Sequence, residues 1–286
     1  MSKRLLGILG VLAAMVMIAT ACGGGDAEPA ADGATSAGGS TPAVTTLEEG
    51  VLTVGSCLDY PPFESVKGGD EVGFDVDVTE AIAEKLGLEV KWVRANFDTI
   101  FTAVAGGQFD MVAAAVTATG ETGGERAQTV AFSDYYYNSR QSLTVNTEET
   151  PDIASTADLG EGDAVGVQRG STGKIWAEEN LEPNGVEIRT YTASPDSFRD
   201  LQAGAVQGVI NDEPSSVEIV TEFPGLEVVE AIDTNEKYAF AFAKDTPDLV
   251  EAVNGALQTL IDDGTYATIY EKYFPGAPVP EEFQAA

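Results

Sequence analysis

Met111-Val112-Ala113-Ala114-Ala115-Val116 is an unbroken apolar run that follows Asp110 and ends at Thr117. A run with no polar alternation predicts a strand covered on both faces, as in a parallel sheet with helices on either side. Working outward, Asn96 or Asp98 caps a helix that buries Ile100, Phe101 and Val104 and stops at Gly106-Gly107. Val90 to Val93 reads as the strand before it. Val76 to Leu86 reads as a helix with Val78, Ile82 and Leu86 on one face and Gly87 as its stop. Val51 to Val54 is the first strand, ahead of a Pro61-Pro62 loop.

The same order recurs downstream. Ala164 to Val167 reads as a strand, and Gly170-Ser171-Thr172-Gly173 opens a helix through Trp176 and Leu181. Val186 to Tyr191 is a strand, Ser194 caps a helix with Pro195 first, and Val206 to Ile210 is a strand ending at Asn211-Asp212. Tyr238 to Phe242 alternates, and helices follow from Pro247 and from Tyr266. Two βαβ-rich halves predict an α/β protein of two lobes with mainly parallel sheets. The chain is expected to cross between them near Leu143 and near Tyr238, a double crossing suited to hinge motion. Lobe 1 is assigned to 51–142 and 239–286, and lobe 2 to 143–238.

Composition removes several functions. The 286 residues carry 47 Asp+Glu against 15 Lys+Arg and no His, a formal net charge of -32. Phosphate neutralisation needs clustered Lys/Arg, so no nucleic-acid partner is expected. Without histidine there is no Ser-His-Asp triad, Cys-His dyad or His-ligated zinc, and neither cofactor nor metal is expected.

Lys3 and Arg4 precede an apolar run from Leu5 to Ala21, marginal for a spanning helix, that ends in the small residues Ala19-Thr20-Ala21 before Cys22. This arrangement resembles a bacterial lipoprotein signal (1–21) with Cys22 as the acylated residue, although Ala19 stands where Leu is commoner. The alternatives are an ordinary signal peptide and an uncleaved anchor. Residues 22–50 lack apolar periodicity and read as a flexible tether. Cys57 is then a lone thiol.

Several motifs carry a resemblance. They are Leu52-Thr53-Val54-Gly55, Tyr60-Pro61-Pro62-Phe63-Glu64, Gly73-Phe74-Asp75-Val76-Asp77, Arg126 to Ser133, Gly166 to Gly173, Asn211-Asp212 and Asp263-Gly264-Thr265-Tyr266 with Tyr270 to Phe274. Together they resemble the amino-acid-binding solute-binding proteins of ABC importers, over about residues 50 to 275. The resemblance implies a two-lobed periplasmic-binding-protein fold, an amino acid ligand, an ABC permease as partner and no catalysis. With the lipid anchor, it places a monomer on the extracytoplasmic face of the membrane.

A zwitterion needs a cation, an anion and a dry box. Arg126 offers a fork for a carboxylate, and the helix opened by Ser171 and Thr172 offers free N–H groups to the same carboxylate. Asp212, at the carboxyl end of a strand, is placed to face an ammonium. By resemblance, Tyr60 and Phe97 sandwich the ligand, and Ala114, Ala115, Thr117 and Gln168 contact it. Each has a plainer reading. Arg126 sits at the surface if Gly120-Glu121-Thr122-Gly123-Gly124 lengthens its loop, Asp212 and Thr172 are helix caps, and Tyr60 and Phe97 are core. Asp75 and Asp77 read as caps or turn residues, and Tyr135 to Tyr137 as lobe packing.

Relatives that take cationic side chains commonly place an acid where Cys57 stands. A neutral polar ligand, glutamine before asparagine, is therefore expected, unless Asp59 or Glu64 turns inward. The competing class is an enzyme on the same fold, a cyclohexadienyl or arogenate dehydratase.

Overall fold

The computed structural model describes residues 44–285. Cys22 and the signal segment lie outside them. Strand β1 (Val51–Ser56) leads into a small antiparallel sheet of β2 (Asp59–Tyr60), β3 (Glu64–Lys67) and β4 (Asp70–Val72). Helix α1 (Phe74–Leu86), strand β5 (Glu89–Arg94), helix α2 (Phe97–Ala105) and strand β6 (Met111–Val112) follow. Helix α3 (Gly120–Arg126) then precedes the long strand β7 (Ala131–Asn146). The second series is β8 (Ala164–Gln168), α4 (Thr172–Asn180), β9 (Glu187–Tyr191), α5 (Ser194–Gln202), β10 (Gly208–Asp212) and α6 (Glu213–Ile219). A second long strand, β11 (Leu226–Phe242), and helices α7 (Pro247–Asp262) and α8 (Thr265–Tyr273) complete it.

The repeat legible in sequence is also a repeat in space. Across the large sheet the strand order is β5-β1-β6-β11-β7-β10-β8-β9. β1 lies between β5 and β6, and β8 between β9 and β10, all in parallel. The antiparallel pair β7 and β11 runs through the middle and joins the halves. Its register slips between Ile232↔Gln141 and Glu236↔Ser139, so β11 spends two residues more than β7 on that stretch. Such bulges re-aim side chains.

Apolar packing follows the same division. One cluster draws on both ends of the chain, from Leu52, Phe63 and Phe74 to Leu257, Tyr266 and Phe283. Within it the rings of Phe63 and Phe74 lie 5.9 and 5.3 Å from that of Phe274. A second cluster under α2 joins Ile100, Val104 and Phe109 to Val112 and Ala241. The remaining two use only the middle of the chain, around Leu143, Val165 and Ile210 and around Phe198, Val209 and Leu226.

The structure departs from the sequence reading in several places. Residues 111–116 are all buried, but ladder pairing stops at Val112. Ala115 turns into the left-handed region (φ 47), and its N–H donates to Asp75 Oδ2 at 2.8 Å. The run thus leaves the sheet to form a wall. Residues 120–126 are a helix rather than a lengthened loop, and Gly123 packs so closely that a Cβ there would lie 2.2 Å from the Ala118 carbonyl carbon. Ser194 is the first residue of α5 rather than its cap, and its hydroxyl donates to Asn211 Oδ1 at 2.9 Å. Tyr238 to Phe242 are buried throughout, with Tyr238, Phe240 and Phe242 in the first apolar cluster and Ala241 in the second. Residues 44–50, read as tether, are held down: Leu47 N–H donates to Asp110 Oδ1 at 2.7 Å, and Glu48 pairs with Lys91 at 3.0 Å. Tyr136 and Tyr137 are buried, but Tyr135 is 43% exposed.

Candidate functional site

All ten residues singled out from the sequence line one narrow cavity between the halves, with a volume of about 20 Å³: Tyr60, Phe97, Ala114, Ala115, Thr117, Arg126, Gln168, Ser171, Thr172 and Asp212. Cys57 and Glu64 complete the lining. The cavity sits at the carboxyl ends of β6, β8 and β10, where open α/β sheets leave a crevice.

Arg126 reaches the cavity because α3 turns the chain inward. Its Nη1 donates to the Thr117 carbonyl at 2.8 Å, and its Nη2 crosses to the Gly170 carbonyl at 3.0 Å. The guanidinium carbon lies 5.3 Å from the Phe97 ring centroid and 4.9 Å from that of Phe101, a cation–π arrangement. Burial lowers its pKa to about 10, so it stays charged at neutral pH. Two carbonyls and two rings fix the plane of the fork, leaving its remaining N–H groups for an anion.

On the same side of that crossing, Ser171 caps α4 by accepting the Lys174 N–H at 3.0 Å, and its own hydroxyl donates to the Gln168 carbonyl at 2.8 Å. The other N–H groups of the first turn have no partner inside the helix. Gly170 is left-handed (φ 78), and a Cβ there would lie 3.2 Å from Asp98 Cα in the facing half.

Asp212 stands at the N-terminal end of α6 but makes no side-chain cap. Its carboxylate instead accepts from Tyr60 Oη at 2.8 Å and Tyr238 Oη at 2.6 Å, and from the Gln141 amide. Burial, and then the charge of Glu236, push its pKa up to about 7. An arriving ammonium would reverse that cost, because opposite charge favours the ionised form.

Sequence reading missed Gln141 and Glu236. Gln141 Nε2 on β7 also donates to Thr172 Oγ1 at 3.1 Å and to Glu236 Oε1 at 2.9 Å. Glu236 accepts from Thr117 at 2.5 Å, Thr172 at 2.9 Å and Thr234 at 2.8 Å, tying both halves to the crossing strand. In sequence, Asp233-Thr234-Asn235-Glu236 has the composition of a solvated turn; only the slip in the β7–β11 register brings Glu236 inside. Asp75 proved neither cap nor turn residue. Fully buried, it holds Ala115 N–H and accepts Tyr136 Oη at 2.8 Å, while burial raises its pKa to about 6. Asp77, by contrast, is a surface partner of Lys272 at 2.5 Å.

Fold and cavity together define a two-lobed binding protein of the periplasmic type. The chain belongs to the bacterial extracellular solute-binding proteins, family 3, whose model matches residues 52–276. It is 31% identical over 238 residues to a probable histidine-binding protein of Campylobacter jejuni, covering 82% of this chain and 88% of that one. Among solved structures, an ancestral arginine-binding protein bound to arginine superposes with a TM-score of 0.74 at 36% identity, covering 79% of this chain and 98% of the other. An ancestral amino-acid-binding protein, a precursor of cyclohexadienyl dehydratase, gives 0.72 at 34% identity over 79% and 96%.

Proposed function

We propose that this protein captures a free amino acid in the cavity between its lobes and hands it to an ABC permease. The observation that carries the reading is a cation and an anion on the walls of one enclosed space, Arg126 with the start of α4 and Asp212 with its two tyrosines. In this reading Arg126, Ser171 and Thr172 hold the α-carboxylate, and Asp212 holds the α-ammonium. Tyr60 and Phe97 flank the side chain, and Ala114, Ala115, Thr117 and Gln168 close the box. Lobe 1 comprises 51–142 and 239–286 and lobe 2 comprises 143–238, with β7 and β11 as the hinge. The direct bond from Arg126 to Gly170 supports closure as the binding-competent arrangement.

A thermal-shift panel of the twenty amino acids tests this. A ligand binding only the folded state stabilises it by about 2.7 kcal/mol at 100 times its Kd. No shift with any amino acid would defeat the reading.

The same proposal makes Cys22 the acylated residue that tethers a monomer to the outer face of the membrane, through residues 23–43, which as a random coil would span roughly 25 Å. Mass spectrometry should find a diacylglyceryl group on Cys22, and Cys22→Ser should release the protein; an unmodified N-terminus elsewhere would contradict it.

A second reading, a dehydratase on this fold, draws on Glu64, whose pKa burial and neighbouring acids raise, a direction that suits a proton donor. Turnover of prephenate or arogenate separates the two.

A further inference from the structure

Glu64 has no role in the clamp just described, and its surroundings are unusual. It is fully buried, lines the cavity, and neither carboxylate oxygen has a hydrogen-bond partner. Its place at the start of β3, directly across the ladder from Tyr60, sets it on the lobe 1 wall beside Cys57. A buried carboxyl with both oxygens unmatched is costly and calls for a partner. Among the described residues nothing nearby supplies one: the groups whose charges act on it are Asp75 on α1, Asp59 on β2 and Asp212 on β10, and Cys57 is a buried thiol. Arg94 donates instead to the Cys57 and Leu58 carbonyls and pairs with Asp59.

Counting charges on the lining gives the same direction. Two acids, Glu64 and Asp212, face one cation, Arg126. Glu236 is accounted for by its four hydrogen bonds and lies outside the lining. A zwitterion satisfies Arg126 and Asp212 and leaves Glu64 unmatched. An amino acid whose side chain is a cation satisfies all three. We infer that Glu64 is the residue that selects the ligand's side chain, and that the preferred ligand is an amino acid with a cationic side chain, not glutamine.

The expectation of a neutral ligand rested on Cys57 occupying the position of an acid. The acid enters instead from seven residues further along, because the hairpin of β2 and β3 folds Glu64 back beside Cys57. The inference rests on the amino-acid reading of the cavity and adds to it. It also carries a proton. Without a cation nearby, burial and three acids raise the pKa of Glu64 well above the usual range and so favour its protonated form. A cationic side chain ionises it, so binding expels that proton.

Arginine and its neutral isostere citrulline, titrated calorimetrically into the wild-type protein, test this without any mutation. Arginine should bind at least roughly 10²-fold tighter, as expected where one member of a buried pair is lost. Repeating the titrations in buffers of different ionisation enthalpy should show more protons released with arginine than with citrulline, a difference that cancels any contribution of Asp212. In Glu64→Gln the preference should fall to within about tenfold while citrulline still binds, which shows the variant is folded. Citrulline or glutamine binding as tightly as arginine would overturn the inference and leave the amino-acid reading intact. So would a Glu64→Gln protein that keeps the full preference. Failure of every amino acid to bind would overturn both.

Discussion

Asp212→Asn separates what this carboxylate does for the fold from what it does for a ligand. The amide keeps an oxygen for the Tyr60 and Tyr238 hydroxyls but removes the charge beside Glu236. The native carboxyl titrates near 7, against about 3.9 in an unfolded chain. The folded form therefore binds its proton more tightly, and stability is lost as pH rises between those values. Each pH unit in that window is worth about 1.4 kcal/mol, so the ionised group costs on the order of 4 kcal/mol at pH 8. The amide escapes this, less about 1–3 kcal/mol for hydrogen bonds it makes poorly. Without ligand, the variant should thus be more stable than wild type at pH 8, by about 1–3 kcal/mol, and not at pH 4. Binding should move the other way: an ammonium without its counter-charge loses about 3–5 kcal/mol, a weakening of roughly 10² to 10³ or more. Urea denaturation at both pH values, with calorimetric titration of an amino acid, reads the two effects together. A variant that is less stable at pH 8 and binds normally would refute the reasoning.

Three further outcomes follow from the geometry. Unliganded wild type should melt at a lower temperature as pH rises from 5 to 7.5, since Asp212, Asp75 and Glu64 all have raised pKa values; scanning calorimetry should find the slope reduced in Asp212→Asn. Arg126→Lys keeps the charge but cannot reach the Thr117 and Gly170 carbonyls and a carboxylate together, so calorimetry should show affinity falling roughly 10- to 10²-fold. Gly170→Ala forces a side chain into left-handed backbone at about 1–2 kcal/mol and pushes a Cβ toward Asp98 in the facing lobe; small-angle scattering should find the ligand-saturated variant more open than wild type.

Much of this was legible in the sequence because it depends on local pattern. Helix α1 follows from Val78 and Ile82 on one face and from Gly87 (φ 70) after its last turn. The parallel strands announced themselves as apolar runs. The candidate site was legible as far as its residues sit beside strand ends and glycine turns, which is why Thr172 and Asp212 were found. What escaped depends on long-range register. Glu236 faces inward because β11 gains two residues on β7, and no local pattern marks that slip. Gln141 is one polar residue in a strand, ordinary until three partners converge on it. Glu64 stands within a legible motif, but its burial beside Cys57 follows from the fold of a hairpin. The glycines at 120–124 looked like slack and instead let a helix pack against Ala118.

The aromatic packing of Phe63 and Phe74 on Phe274 sets an order of assembly. The core they belong to needs α7 and α8, which come last in the chain. The clusters around Leu143 and Phe198 need nothing outside the middle of the sequence. Closing contacts over some two hundred residues carries a larger loop entropy than closing the shorter middle stretch, and it slows folding accordingly. The half made first therefore holds one cluster, under α2, that is nearly complete from its own residues and another whose covering helices, α7 and α8, are made only after the middle of the chain. A chain cut short before Tyr266 would lose Tyr266, Ile269, Tyr270 and Phe283 from the cluster that joins its ends, while both middle clusters keep every residue.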